Sequence, residues 1–313
     1  MVQFTGLASP DDLLILLSVA RLGRFTTVAD ALGTTHTTIS RRIAALDTQL
    51  GDRTLARTQH GWELTALGVQ AVRAAEAIEK SLGTLAADAR QDSDPLSGLL
   101  RISTVDGFGA EFVAPALIRL QADHPQLRVE LLSATRRISQ NRSGVDLEIV
   151  IGRPEVHNAQ AIFLTDYCLR LYASAEYLGR EGTPGTIAAV QNHTVISYVE
   201  SALLVTELGL ASAQLPEPAT SFHATSIFAQ LQAVRHHGGI GLLPSFLAHG
   251  DPGLVHVLPG SVERRLSIWM VARPESLRSA ALQAAIDALR TEVAGRQDAL
   301  LGMPKARRKP ELH

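Results

Sequence analysis

The chain has 313 residues, enough for two or three domains, each with its own core. Hydrophobic residues at 46% and charged residues at 19% describe an ordinary globular protein, and a net charge of −2 leaves no global basic field to advertise a nucleic-acid partner. Aromatic residues at 4% exclude a platform of stacked rings for single strands, and the single cysteine excludes an intrachain disulfide.

Ser9-Pro10-Asp11-Asp12 opens a first helix, with Ser9 as cap, proline at the first helical position and carboxylates against the positive end. Leu13, Leu16, Leu17 and Ala20 mark its inner stripe, and Gly23 ends it. Residues 26–57, TTVADALGTTHTTISRRIAALDTQLGDRTLAR, read as two short helices, a tight turn and the start of a wing. Val28, Ala29 and Leu32 form the inner face of the first of these helices. Gly33-Thr34 supply the turn, and Thr35 caps the helix from about His36 to Asp47. Ile39, Ile43 and Leu46 face that helix inward, which leaves Thr37, Ser40, Arg41 and Ala44 outward, flanked by His36 and Thr38.

Hydroxyl residues favour caps over helix interiors, so their crowding here needs a reason. Reading a DNA major groove supplies one. Hydroxyls reach phosphates, arginine forks to guanine, and a small alanine lets the backbone approach. Residues 1–65 hold six arginines against six acids, yet four of those arginines (Arg41, Arg42, Arg53, Arg57) fall between 41 and 57, on the expected contact surface. Two strand-like runs around Gln59-His60-Gly61 make the wing, with Arg57 at its base to meet phosphate.

Residues 66–90 carry the longest helical pattern, with Leu67, Ala71, Ala74, Ile78, Leu82 and Leu85 as a seam. A second copy of the chain is the expected partner, because a helix-turn-helix reads paired half-sites. Packing on the chain's own domain is the alternative. Residues 91–98 read as a hinge.

Beyond the hinge, LLRISTV, LRVELLSA and DLEIVIG read as strands. Helices are expected from about Gly109 to Asp123 and around Ser139 to Arg142. YCLRLYA, HTVISYV, SFHAT, IGLLP and RRLSIWMVA follow as strands, with a helix from Ser279 to about Val293. The alternation predicts βαβ units and a parallel sheet. Cys168, in DYCLRLYAS, reads as an inert thiol in a buried strand. The basic end of the chain, 296–313, reads as an unstructured tail.

From Asp11 to about Leu289 the sequence resembles the LysR-type transcriptional regulators, most strongly in FTTVADALGTTHTTISRRIAALDTQLG and RTQHGWELTALG. VDLEIVIG and GGIGLLP stand where softer family signals are expected. The resemblance implies a winged helix-turn-helix at 1–65, a dimerisation helix at 66–90, and a two-subdomain α/β effector domain at 99–295 like the bacterial solute-binding proteins. The chain would cross between subdomains near Leu164 and Arg265, giving subdomain I at about 99–164 and 266–295 and subdomain II at about 165–265. The wing tip often carries a basic residue in this family; here His60 holds roughly that place. Thr54-Leu55 replace a larger apolar pair, and His236-His237 stand where a small residue and glycine are usual. Adjacent histidines on a helix do not share a face, so no metal clasp is expected there.

The DNA contacts expected are Thr35, His36, Thr37, Thr38, Ser40, Arg41, Arg42, Arg57 and His60. In open α/β sheets ligands bind at the carboxyl ends of strands near a switch point. That rule selects Val105, Asp106, Gly107, Phe108, Ser133 and Thr135 from one subdomain, and Ser197, Tyr198, Val199, Ser201, Thr225 and Ser226 from the other. Backbone N–H groups at the helix starts suit an anion, and Arg136-Arg137 could answer one. Asp106 repels one, and would instead cap its helix or select an amine or hydroxyl.

The expected partners are promoter DNA, a small-molecule effector and a homodimer through 66–90. A homotetramer follows from the resemblance, with RNA polymerase a further candidate. No catalytic residues, cofactor or metal are expected, because no Walker loop, HExxH, GxSxG or Cys-His pair is present. No basic, then apolar leader opens the chain and no stretch reaches membrane length, so a cytoplasmic protein is expected. The competing readings are an enzyme or small-molecule-binding α/β protein without a DNA role, or a periplasmic solute carrier. The missing leader and the extra N-terminal residues count against the carrier.

Overall fold

The computed structural model describes residues 8–58, 61–88, 96–133, 145–156, 159–199 and 215–303. Its contacts divide the chain into an N-terminal unit ending at Gly98 and a C-terminal unit beginning at Leu99.

The N-terminal unit comprises α1 (Pro10–Leu22), α2 (Phe25–Ala31), α3 (His36–Leu50), β1 (Leu55–Thr58), β2 (Gly61–Leu64) and α4 (Ala66–Asp88). Helix α1 begins with proline at its first turn and ends at Gly23, whose φ of 73° is the left-handed value glycine adopts freely. It buries Leu13, Ile15, Leu16, Leu17 and Val19, a wider face than the expected stripe, because α2, α3 and α4 all pack on it. Ile39, Ile43 and Leu46 anchor α3 in the same core. Two expectations fail here. Ser9 makes no side-chain cap; its backbone N–H instead donates to Gln49 Oε1 at 3.2 Å, tying α1 to the end of α3. Leu32 is 51% exposed, because α2 stops at Ala31 and the next residue leaves the helical periodicity.

Helix α4 splits its predicted seam between two directions. Ala71 is buried, together with Val72 and Ala75, in the unit's own core, while Ala74 and Leu82 remain exposed. Gly68 permits this docking, since a Cβ there would overlap the Thr54 carbonyl. Arg21 of α1 adds a two-pronged ion pair to Glu79 at 2.7 and 2.6 Å.

Among the described residues, the C-terminal unit is built on one nine-stranded sheet. Its strands are β3 (Gly98–Thr104), β4 (Leu127–Ser133), β5 (Leu147–Ile151), β6 (Gln160–Ser174), β7 (Thr194–Ser197), β8 (Thr220–His223), β9 (Ile240–Pro244), β10 (Leu254–Val257) and β11 (Glu263–Ala272), in the order β4-β3-β5-β11-β6-β9-β7-β8 with β10 also on β6. The sheet is mixed, not parallel throughout. β3–β5, β7–β8 and β7–β9 pair parallel, whereas β6 and β11 pair antiparallel with each other and with their other neighbours. The long strands β6 and β11 connect the two parallel halves. Their register slips once, so that Ile268 opposes Thr165 and Trp269 opposes Phe163, leaving Leu164 as the extra residue of a bulge.

Helix α5 runs through three contiguous segments, Asp106–Phe108, a π turn Gly109–Val113, and Ala114–Asp123, and so begins earlier than the expected Gly109. The π turn lies where Gly109 passes close to Thr104, leaving no room for a Cβ. The remaining α-helices among the described residues are α6 (Ala175–Glu181), α7 (Ile227–Arg235), α8 (Ser245–Ala248), α9 (Ala280–Gly295) and α10 (Gln297–Leu301). α10 falls in the stretch expected to be unstructured; its Leu300 is fully buried, and Arg170 Nη1 donates to the Gly302 carbonyl just beyond it at 2.6 Å. The expected helix around Ser139 to Arg142 lies outside the described residues. One hydrophobic core extends from Leu100 and Phe112 through Tyr167 to Val195 and Leu242, so both halves of the sheet share it.

Candidate nucleic-acid interface and ligand cleft

Thr35 Oγ1 accepts the Thr38 N–H at 3.3 Å and lies 2.9 Å from both the Thr37 and Thr38 hydroxyls. The threonine cluster therefore has an internal role, capping α3 and holding its own hydroxyls in register. His36, Thr37, Arg41 and Ala44 are exposed, and Ser40 is half-buried between them. Arg41 forms no ion pair with any described residue. Arg42, one position on, turns back towards the scaffold, where its Nε donates to the buried Asp12 carboxylate and Nη2 lies 3.8 Å from Asp11. Arg42 thus ties α3 to α1.

The wing is a two-stranded ribbon in which Leu55 opposes Leu64 and Arg57 opposes Trp62. Arg57 is exposed. His60 lies outside the described residues. Sequence reasoning missed an aromatic contact: Trp62 stacks on Phe25 with ring centroids 5.1 Å apart and planes at 4°, and Phe25 in turn meets His36 at 5.6 Å. Only the rarity of aromatics in this segment could have signalled it.

In the C-terminal unit, the ends of β3, β7 and β8 converge. Gly107, in the first turn of α5, lies against Ile227 of α7 and Leu247 of α8; a Cβ there would come within 3.1 and 3.2 Å of them. The starts of α5 and α7, from opposite halves of the sheet, are thereby brought together. Val105 is the cap residue of α5, and Asp106 stands at its first helical position rather than capping it. Burial, reinforced by the Asp106 carboxylate, raises the Tyr198 phenol above its ordinary range. Ser197 Oγ lies 3.0 Å from His223 Nδ1, and Ser226 Oγ caps α7 by accepting the Ala229 N–H at 3.4 Å.

Val105 and Val199 are half-buried, Thr225 is exposed, and Ser133 is exposed at the end of β4. Phe108 does not offer its ring to solvent. It is 1% exposed and stacks on Phe112 at 4.9 Å, with Phe246 edge-on to both. Beneath the loop, Gln230 is fully buried and its Nε2 donates to the Ala224 carbonyl at 2.9 Å, a residue that the strand-end rule does not select. Thr135, Arg136, Arg137 and Ser201 lie outside the described residues.

His236 and His237 turn to different partners. His236 Nδ1 is 2.9 Å from the Gln232 carbonyl, whereas His237 places Nδ1 2.8 Å from Ser174 Oγ and Nε2 3.2 Å from Glu176. No metal-holding cluster occurs among the described residues. The Cys168 thiol is pushed up to about 11 by burial and by its neighbour Glu263, so it stays protonated and unreactive. No described helix is long and apolar enough to cross a membrane.

A capped helix presenting hydroxyls and a guanidinium beside a wing, followed by a mixed α/β unit with converging strand ends, defines the class of a DNA-binding regulator with a ligand-sensing domain. Comparison with known proteins makes the class specific. Residues 10–69 match the family model of bacterial regulatory helix-turn-helix proteins of the lysR family, and residues 93–294 match that of the LysR substrate binding domain. The chain belongs to the LysR-type transcriptional regulators. It is similar to the transcriptional activator TtdR of Escherichia coli, at 29% identity over 89% of this chain and 91% of that one. It is also similar to the regulator DmlR of E. coli K12, at 33% identity over 56% of this chain and 57% of the relative. Among solved structures, full-length LysG of Corynebacterium glutamicum with bound effector Arg shares the fold, with a TM-score of 0.62, 19% identity, and coverage of 90% of this chain and 98% of that one. Its relatives are regulators, and the chain is a transcriptional regulator rather than an enzyme.

Proposed function

We propose that the outward face of α3 reads a DNA major groove, with Arg41 as the base-reading group and Thr37, Ser40 and His36 beside it. Thr35 and Thr38 hold the helix start that presents them, Arg42 holds the helix on α1, and Arg57 with His60 meets the backbone next to the groove. The observation that carries this reading is the contrast between adjacent arginines: Arg42 is committed to Asp12, and Arg41 is exposed and unpaired among the described residues. A second copy joins through the exposed part of α4, including Ala74 and Leu82, and two such dimers form a tetramer acting in the cytoplasm near RNA polymerase.

The effector binds where α5 and α7 begin, touching Val105, Asp106, the backbone of Gly107 and Phe108, Ser133, Ser197, Tyr198, Val199, Thr225 and Ser226, with Thr135 and Ser201 completing the set. It bridges the two halves of the sheet and shifts the placement of the paired reading helices, which requires it to bind one arrangement better than the other. A thermal-shift screen of small metabolites on the full chain tests this. A ligand that raises the melting temperature of the unmodified protein, and loses that effect with Asp106→Asn or Tyr198→Phe, supports the site. A stabilising ligand indifferent to both substitutions places the site elsewhere.

A further inference from the structure

We propose that the ring column His36–Phe25–Trp62 makes the wing and the reading helix a single rigid DNA-contacting element, with Trp62 as the positioning residue that sets Arg57 relative to α3. The inference rests on the DNA-reading role proposed above for α3 and the wing.

The column draws one ring from each of three elements: the first residue of α3, the first residue of α2, and the second residue of β2. Phe25 is 6% exposed and belongs to the core, but Trp62 is 40% exposed. A tryptophan that served only core packing would be covered. This one lies nearly parallel on Phe25 and leaves much of its surface outside. Strands of four residues cannot hold their own geometry, because an isolated two-stranded hairpin is marginal in water. The pose of this wing must therefore come from what it touches.

Leu55 and Leu64 attach the base of the ribbon to the core, and Trp62 is its attachment further out, towards the tip. Arg57 stands directly opposite Trp62, and opposed residues of an antiparallel pair project from the same face. Locking the Trp62 ring on Phe25 thus fixes the strand pair that carries the Arg57 guanidinium. Through the same Phe25 ring, the lock reaches His36 at the start of the reading helix. Offset or parallel ring contacts add directional attraction beyond simple burial, which suits a positioning role.

The test uses the full chain and a duplex recovered by it from a random-sequence pool. Binding is measured across salt concentrations for the unmodified protein, Trp62→Val, Trp62→Phe, Arg57→Ala and the double variant Trp62→Val/Arg57→Ala, with the melting temperature of each recorded. Trp62→Val is expected to bind about tenfold more weakly, with a salt slope shallower by about one phosphate contact. Trp62→Phe should restore most of the affinity, because the stack survives. Adding Trp62→Val to Arg57→Ala should cause little further loss, as expected for a residue acting through another. Simple domain destabilisation would lower the melting point without changing the salt slope. If Trp62→Val does not fold, Trp62→Leu against Trp62→Phe carries the same contrast. Unchanged affinity and slope in the valine or leucine variant, or fully additive losses with Arg57→Ala, would overturn the column's role alone. A pool that yields no duplex would overturn the DNA-reading role and the column with it.

Discussion

The reading helix and the ligand cleft differ in what their polar side chains are already doing. On α3, a step of one residue turns about 100° around the axis, and that step separates Arg41, facing solvent, from Arg42, bonded to Asp12. At the cleft two of the expected polar groups already have internal partners: Ser226 caps α7 and Ser197 meets His223. A surface meant for a large, fixed polyanion can wait with open donors. At the proposed ligand site Ser197 and Ser226 also hold their own loops, so a ligand that bonds to them competes with existing contacts.

The contrast extends to stability, where substitutions in the two units should behave independently. The largest effect is expected from Phe112→Ala, which empties the fully buried centre shared by Phe108 and Phe246. A loss of about 3–5 kcal/mol in the C-terminal unit is expected, read by calorimetry as a lowered transition for that unit while the N-terminal transition stays in place. Equal displacement of both transitions would mean that the two units unfold as one.

Arg42→Ala should act on the other unit. It leaves the Asp12 carboxylate buried without its cation, at a cost of about 1–3 kcal/mol, whereas Arg41→Ala should leave the melting temperature nearly unchanged. If the two alanine variants melt alike, the division of labour between these arginines is wrong.

A smaller effect is expected at Glu148 on β5, whose carboxyl is pushed up to about 7 by burial. Its unfolded-state value is about 4.5, so between those values the native state holds the proton more tightly. Stability therefore falls as pH rises through that window and levels off above about 7. Glu148→Gln should flatten this part of the stability–pH curve and stabilise the protein at pH 8 by about 1–2 kcal/mol, after allowance for partial solvent screening. An unaltered curve would show that water reaches the carboxylate freely.

What the sequence disclosed follows from the range of the interactions. The cap at Thr35, the inward Ile39, Ile43 and Leu46, and the end at Gly23 are local, and each is written within a few residues; the end of α3 was read at Asp47 and lies at Leu50. The strand IGLLP was equally legible because all its residues are buried. The dual use of α4 was not, since periodicity marks an apolar face without naming what covers it, and Gly68 against Thr54 decides that at long range. The antiparallel β6–β11 pairing, the stacking of Trp62 on Phe25 and the burial of Gln230 depend on residues far apart in the chain. At the expected cleft, the strand-end rule selected Phe108 and could not show that its ring turns into the core.

The central claim, that the outward face of α3 carries sequence reading, is tested most directly by one panel. Full-length protein and Arg41→Ala are titrated against a recovered duplex and all its single-base-pair variants at fixed salt. Arg41→Ala is predicted to lose about 1–3 kcal/mol on the parent duplex and to become indifferent at one base pair while discriminating normally at the others. An equal loss on every duplex, with the discrimination profile intact, would contradict the claim and leave Arg41 a contact to phosphate alone.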